Sequence, residues 1–100
     1  MKPEDLSIDF EEGGILTTKQ MDKVILSKGA WTTILFRYQD WDGASESYGE
    51  DKYTIRRYQK RSGVFRQQSK FNISSVKQAR QIYEALGAWI SDDATDGGDE

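Results

Sequence analysis

Only one segment of this chain has the periodicity of an α-helix, and it follows every segment that is typical of a strand. Apolar residues recur there at helical spacing over roughly four turns; they are Val76, Ala79, Ile82, Tyr83, Leu86, Trp89 and Ile90. Ser75 and Gln78 fit a capping box that would begin this helix, because each side chain can satisfy a free backbone N–H. The chain must therefore build most of its structure from strands and cover them with one helix.

The segments before the helix are typical of antiparallel strands. Residues 31–38 are almost all β-branched or aromatic, which suits a pleated, half-buried surface. Residues 24–26 precede them, and residues 52–60 and 64–73 predict two further strands. Residues 40–51 are rich in Gly, Ser and acidic side chains, and predict a loop. We expect an α+β fold, an antiparallel β-meander of about four strands with one C-terminal α-helix packed on its apolar face.

Domain organisation follows from length and composition. A chain of 100 residues suits one domain, and we expect its folded part to span residues 23–90. Residues 1–22 are polar and acidic, with a short apolar alternation that ends at Gly13-Gly14. They predict either an acidic arm, which we favour, or a short hairpin. Residues 91–100 have the composition of a disordered acidic tail.

Composition excludes several classes of protein. The chain has no Cys and no His, which removes disulfides, thiolate sites, and the commonest general base and zinc ligand. No apolar run is long enough to span a membrane and no leader sequence opens the chain, so we expect a cytoplasmic protein. Residues 40–43, Asp-Trp-Asp-Gly, lack the other ligands of a calcium loop. We therefore expect no metal, no cofactor and no enzymatic activity.

Positive charge is concentrated in one block of the sequence. The formal net charge is −3, yet residues 52–83 contain nine Lys and Arg and no Asp or Glu. The nine are Lys52, Arg56, Arg57, Lys60, Arg61, Arg66, Lys70, Lys77 and Arg80. Residues 1–22 and 84–100 contain six acidic residues each. Because the distribution of charge decides which partners approach a surface, a polyanion could bind this block despite the acidic total.

The register of the hairpin formed by residues 52–60 and 64–73 decides which side chains share a face. We expect a three-residue loop with Gly63 in the left-handed position, so that Lys60 pairs with Val64. This register places even-numbered residues of both strands on one basic face. The candidate nucleic-acid-binding residues on that face are Arg56, Tyr58, Lys60, Arg66, Gln68 and Lys70. The opposite face is mostly apolar, and carries Tyr53, Ile55, Phe65, Phe71 and Ile73.

A basic sheet face that also carries aromatic rings is typical of single-strand binders, which neutralise phosphates and stack bases on the rings. Tyr58 is the central stacking candidate. Trp31, Tyr38 and Trp41 are further candidates if their strand presents them on the same side. We therefore expect a non-enzymatic protein that binds single-stranded DNA or RNA. The alternative is a small protein-interaction module whose basic face docks an acidic partner.

Two segments carry a resemblance to a known family. Residues 70–74, Lys-Phe-Asn-Ile-Ser, lead into the helix, and residues 54–58, Thr-Ile-Arg-Arg-Tyr, form a strand that ends in arginine and an aromatic residue. Both are similar to the single-stranded-DNA-binding domain of transcriptional positive cofactor four and its bacterial relatives, with the plant Whirly proteins more distant. The resemblance covers about residues 23–90, but Phe71 or Ser69 stands where the family usually has glycine.

This resemblance implies a homodimer in which two helices pack together and two sheets form one DNA-binding groove. It also implies a role in transcription or DNA maintenance. The positions that it assigns to phosphate and base contacts are Arg56, Tyr58, Lys60, Arg66 and Lys70.

The number of aromatic residues independently raises the question of a partner. Residues 23–90 contain eleven of the twelve aromatic residues, many for one helix and one small sheet to hide. Tyr83, Trp89 and Ile90 are therefore candidates for a symmetric contact between two copies. A complete monomer core remains the alternative.

Overall fold

The computed structural model describes residues 1–92, which form a curled antiparallel sheet of six strands followed by one helix. The strands are β1 Phe10–Glu12, β2 Ile15–Ser27, β3 Trp31–Asp42, β4 Ser47–Tyr48, β5 Lys52–Arg61 and β6 Val64–Ile73. A 3₁₀ turn at Pro3–Asp5 precedes them, and helix α1, Val76–Asp92, follows them. The strand order is β1-β2-β3-β5-β6, with β4 paired to the end of β3. The predicted α+β architecture with a C-terminal helix is confirmed.

The predicted strand number of four is wrong, because two short strands have little periodicity of their own. β1 pairs with β2 through a turn in which Gly13 and Gly14 have φ values of +59° and +85°. Glycine reaches this left-handed region without steric cost. β4 lies within the segment predicted as a loop and pairs with Trp41 and Asp42. Ser91 and Asp92 belong to α1, and the rest of the predicted acidic tail lies outside the described residues.

The turn between β5 and β6 has two residues rather than the predicted three. Ser62 and Gly63 have φ values of +52° and +77°, and Arg61 pairs with Val64. Positive φ at both central residues is the type I′ geometry, whose twist matches that of the two strands. The predicted pairing of Lys60 with Val64 is therefore wrong by one residue.

A bulge at Gln68 then restores part of the predicted pattern. Between the turn and the bulge, even-numbered residues of β5 face odd-numbered residues of β6, as Tyr58 faces Gln67. Beyond the bulge, even faces even, as Arg56 faces Lys70. Because a β-bulge adds one residue to one strand only, it reverses the side on which the following residues point.

The two faces of the sheet are unlike. On the first, which we call the covered face, the side chains of Ile34 and Phe36 have an exposed fraction of 0%. They form one hydrophobic cluster with Leu6 and Ile8, which precede β1. On the second, which we call the helix face, Leu35 and other apolar side chains line an open cavity beside α1. The main core therefore lies on the covered face.

Residues 1–9, which we call the N-terminal segment, complete that core and are held by polar contacts to β2. The Nζ of Lys23 donates to three backbone carbonyl oxygens, those of Pro3, Glu4 and Leu6, at 3.4, 2.6 and 2.5 Å. The Ile8 N–H donates to the Oε1 of Gln20 at 3.1 Å, and the Gln20 N–H donates to a carboxylate oxygen of Asp9 at 2.6 Å. The segment is therefore a layer of the fold.

Helix α1 begins with one of the two hydrogen bonds of the predicted capping box, and it packs only partly on the sheet. The Ser75 hydroxyl accepts a hydrogen bond from the Gln78 N–H at 3.0 Å, which satisfies one free donor of the first turn. Ile82 is half-buried toward the sheet, whereas Tyr83 and Trp89 are 75% and 70% exposed. The predicted packing of the helix on the apolar face is therefore incomplete.

Candidate nucleic-acid interface

The basic block keeps most of its charge free of acidic partners. Within residues 1–92, Lys52 alone among its nine cations forms an ion pair, with Asp40 at 3.0 Å. The hydrogen bond from Lys52 to Asp40 also raises the pKa of the Lys52 ammonium. The other eight have no carboxylate oxygen within 4.0 Å among the described residues. They are Arg56, Arg57, Lys60, Arg61, Arg66, Lys70, Lys77 and Arg80.

Two of the five cations that precede the block, Lys28 and Arg37, are in contrast paired with acidic side chains. Lys28 pairs with Glu4 at 2.7 Å, and this contact lowers the pKa of the Glu4 carboxyl. Arg37 lies 3.3 Å from Asp51 and 3.7 Å from Asp22. Among the described residues, positive charge without an acidic partner is therefore concentrated on β5, β6 and the beginning of α1.

The predicted gathering of the site residues on one face is wrong. Pairing across β3, β5 and β6 places Arg56, Lys60 and Lys70 on the covered face. It places Arg66 on the helix face, because the two-residue turn shifts the start of β6 by one residue. Gln68 is exposed at the bulge, and its side-chain amide donates to the carbonyl oxygen of Arg66 at 3.3 Å.

Tyr58 cannot act as the predicted stacking platform in this conformation, since only 6% of it is exposed. It packs in the cluster that contains Leu6, Ile8 and Phe36. Burial raises the pKa of its phenol, and the nearby Arg56 guanidinium opposes that rise. The signal for this burial is the apolar alternation near the N-terminus, which supplies the cover over Tyr58.

Arg56 lies at the margin of the same cover and is half-buried. Its Nη1 donates to the Oε1 of Gln67 at 3.0 Å, while its Nε is buried without a partner among the described residues. Lys60 and Lys70 are exposed on this face, with the Lys60 Nζ 5.4 Å from the ring centroid of Phe65. The covered face thus offers cations to a phosphate at its edge but no open aromatic ring at its centre.

The other three stacking candidates differ in exposure. Tyr38 is half-buried against the main core. Trp41 is half-buried edge-to-face against Tyr48, with ring centroids 5.1 Å apart. Trp31 is 39% exposed at the beginning of β3, on the helix face. Trp31 is therefore the candidate whose ring is most accessible to a nucleobase.

Sequence reasoning missed Arg57, which lies beside Trp31. The central carbon of its guanidinium group is 4.3 Å from the Trp31 ring centroid, a cation–π contact. Arg57 has an odd number in β5, and the sequence assigned the odd-numbered residues of this strand to the apolar face. Ile55 and Tyr53, on the same face, do line the mostly apolar cavity beside α1. The adjacent pair Arg56-Arg57 was the available signal, because neighbouring residues on a strand serve opposite faces.

The predicted dimer-contact residues are all exposed. Tyr83, Trp89 and Ile90 have exposed fractions of 75%, 70% and 64%. Between α1 and the helix face lies an open, mostly apolar cavity of about 550 Å³, lined by residues that include Leu35 and Leu86. A substantial apolar surface is thus left uncovered by the described part of one chain.

Two other kinds of site are absent from the described part of the chain. Within residues 1–92, no three His, Cys, Asp or Glu side chains are grouped as a metal ion would require. No helix in the same range combines the length and the apolar character needed to cross a membrane.

No family model, no curated protein and no solved structure matches this chain significantly. The resemblance to transcriptional positive cofactor four therefore rests on the two sequence segments described above.

Proposed function

We propose that this protein binds single-stranded nucleic acid, without catalysing a reaction, through β5, β6 and the beginning of α1. The observation that carries the proposal is the set of eight cations without an acidic partner among residues 1–92. Solvated surfaces usually mix both signs of charge. Phosphates bind such a surface with release of their counterions, which supplies affinity without any sequence preference.

Single strands are favoured over duplexes by the kind of surface that carries these cations. An open sheet with a partly exposed ring, here Trp31 with the Arg57 guanidinium over it, suits unstacked bases. The cations of α1, Lys77 and Arg80, lie on a helix whose exposed residues also include Tyr83 and Trp89. A helix that reads the major groove relies instead on polar side chains directed at base edges.

Fluorescence anisotropy with labelled single-stranded DNA, RNA and duplex tests the proposal. The oligonucleotides should have about 20 nucleotides, longer than the roughly 4–16 that one small sheet domain contacts. We expect the single strands to bind more tightly than the duplex, and affinity to fall steeply as salt rises. The double variant Arg66→Ala/Lys70→Ala should bind more weakly and show a shallower salt dependence.

The matched control is Lys2→Ala/Lys19→Ala, which removes two cations outside the block. Its affinity should stay close to that of the wild type. No single-strand binding at physiological salt, or equal losses in the two double variants, would exclude the proposed surface. Tighter binding of an acidic peptide than of any oligonucleotide would instead support the protein-interaction alternative.

We also propose that the protein acts as a homodimer through α1, as the family resemblance implies. The exposed side chains of Tyr83, Trp89 and Ile90 and the open cavity beside them support this proposal, since extended apolar patches are uncommon on monomers. Sedimentation velocity should show a dimer that Trp89→Ser/Ile90→Ser weakens. Detection of only a monomer at all concentrations would contradict the homodimer.

We further propose a cytoplasmic location and a role in transcription or DNA maintenance.

A further inference from the structure

We propose that the helix face carries a nucleobase-stacking subsite at its open end, built from Trp31, Arg57, Gln59 and Arg66. The base lies on the guanidinium group of Arg57, which Trp31 supports from behind, and Arg66 binds a phosphate of the same strand. This inference rests on the proposed function, because it names where a single strand places one of its bases.

The first argument is the register of three neighbouring strands. Trp31 lies opposite Gln59, and Gln59 lies opposite Arg66, so that the three side chains form one row across the helix face. Arg57 lies opposite Thr33 in the adjacent row and reaches back over Trp31. With strands about 4.8 Å apart, the row spans roughly 10 Å. One small surface therefore carries four different groups: the Trp31 indole, the Arg57 guanidinium, the Gln59 amide and the Arg66 guanidinium.

The second argument is the cation–π contact between Arg57 and Trp31. The Arg57 guanidinium lies 4.3 Å from the Trp31 ring centroid, and both residues are exposed. A guanidinium group is planar and weakly hydrated, so that a nucleobase can stack on its free side. The indole holds the Arg57 guanidinium in place before the ligand binds, which reduces the loss of conformational entropy on binding.

The third argument is the free hydrogen-bonding capacity of the polar members. Within residues 1–92, the side chains of Arg57, Gln59 and Arg66 take part in none of the side-chain hydrogen bonds or ion pairs. The half-buried Gln59 amide can both donate and accept, so it can meet the edge of any base.

The fourth argument is that the stacking position expected from the sequence, at the centre of the covered face, is closed. On the covered face, Tyr58 is buried beneath the N-terminal segment. Further along the helix face, the cavity beside α1 has Leu35 and Ile55 in its lining, together with Tyr53, Arg80 and Tyr83. The subsite thus lies between the turn of the β5–β6 hairpin and this cavity.

Tryptophan fluorescence of a protein in which Trp31 is the sole tryptophan reports on this subsite directly. The variant Trp41→Phe/Trp89→Phe leaves Trp31 alone. Titration with an oligodeoxythymidine of about 20 nucleotides should quench its emission, because a base stacks on the Arg57–Trp31 pair. An abasic oligonucleotide of equal length, with the same phosphates and no bases, should bind more weakly and leave the emission unchanged. Quenching of equal size by both oligonucleotides would overturn the subsite.

Affinity measurements on substituted proteins supply a second test. Trp31→Ala should weaken oligodeoxythymidine binding by roughly 5- to 150-fold, the range found for one stacked base, and should leave abasic binding unchanged. Arg57→Lys keeps the charge but removes the plane, and should produce a loss of the same kind. Arg37→Lys, outside the basic block and ion-paired with Asp22 and Asp51, is the matched control and should bind normally.

The outcomes separate the two proposals. If the wild type binds oligodeoxythymidine and Trp31→Ala binds equally well, the subsite is wrong and the proposed function stands. If the wild type binds no oligonucleotide, both are wrong. Circular dichroism of each variant must match the wild type, and the sole-tryptophan titration keeps the test valid if Trp31→Ala fails to fold.

Discussion

The covered face and the helix face of one sheet differ in how completely a single chain buries them. On the covered face, Ile34 and Phe36 have no exposed area, because Leu6 and Ile8 complete the layer above them. On the helix face, three apolar residues are more than half exposed; they are Val24, Leu26 and Phe71. The first face therefore stabilises the fold within one chain, while the second retains surface for binding.

The largest effect that this comparison predicts is on stability. Phe36→Ala should lower the free energy of unfolding by about 3–5 kcal/mol, because it leaves a cavity in the covered core. Phe71→Ala, on the helix face, is the matched control and should cost far less. Urea denaturation of the two variants gives both values. Equal losses would mean that the two faces are buried alike in solution.

The contribution of the N-terminal segment is tested next. Ile8→Ala should cost about 2–3 kcal/mol, since the side chain is 7% exposed and packs in the main core. Its exposed neighbour is the control, and Ser7→Ala should change stability by no more than about 0.5 kcal/mol. The same urea titrations measure both variants. A neutral Ile8→Ala would show that the segment is a detachable arm rather than a layer of the fold.

A smaller loss of stability is expected from removing the hydrogen bonds that hold the N-terminal segment to Lys23. Lys23→Met should lose about 2 kcal/mol, because three carbonyl oxygens of the N-terminal segment lose a charged donor. Lys28→Met removes the exposed ion pair to Glu4 and should lose clearly less than Lys23→Met, because solvent screens an exposed pair. Thermal unfolding at constant pH compares the two. A larger loss in Lys28→Met would contradict the central role of Lys23.

The smallest effect is a dependence on alkaline pH. Burial raises the pKa of Tyr58 in the folded protein, so above a pH of about 10 the unfolded state releases this proton first. Stability from this group is therefore present at neutral pH and declines as pH rises through the alkaline range. In Tyr58→Phe the decline should be less steep, whereas Tyr83→Phe, at a 75% exposed position, should match the wild type. Denaturant titrations at several alkaline pH values provide the slopes.

The elements that sequence predicts well are those whose side chains repeat a pattern locally. The stripe of α1 and its cap at Ser75 need only neighbouring residues to specify them, and both are present. The run of β-branched and aromatic residues in β3 likewise predicts its strand from neighbouring residues alone. The eight cations that have no acidic partner among residues 1–92 are also visible in the sequence, as a block without Asp or Glu.

The face on which each of those cations lies depends on the length of the β5–β6 turn and on the position of the bulge. The local sequence does not determine either feature. A turn of two residues and a loop of three both suit Ser62-Gly63, and they differ by one residue in register. Gln67 and Gln68 have the same side chain, so no sequence pattern shows that the bulge lies at Gln68. The cover over Tyr58 comes from residues about fifty positions earlier in the chain, a distance that local periodicity does not report.

The separation of free cations from paired ones has a consequence for how the molecule moves near a charged partner. Within residues 1–92 it produces an electric dipole, with its positive end at β5, β6 and the beginning of α1. A dipole aligns in the field of a polyanion before contact, which raises the association rate above what a net charge of −3 would allow. The same asymmetry should let this acidic protein bind both anion-exchange and cation-exchange resins at neutral pH, each through a different end.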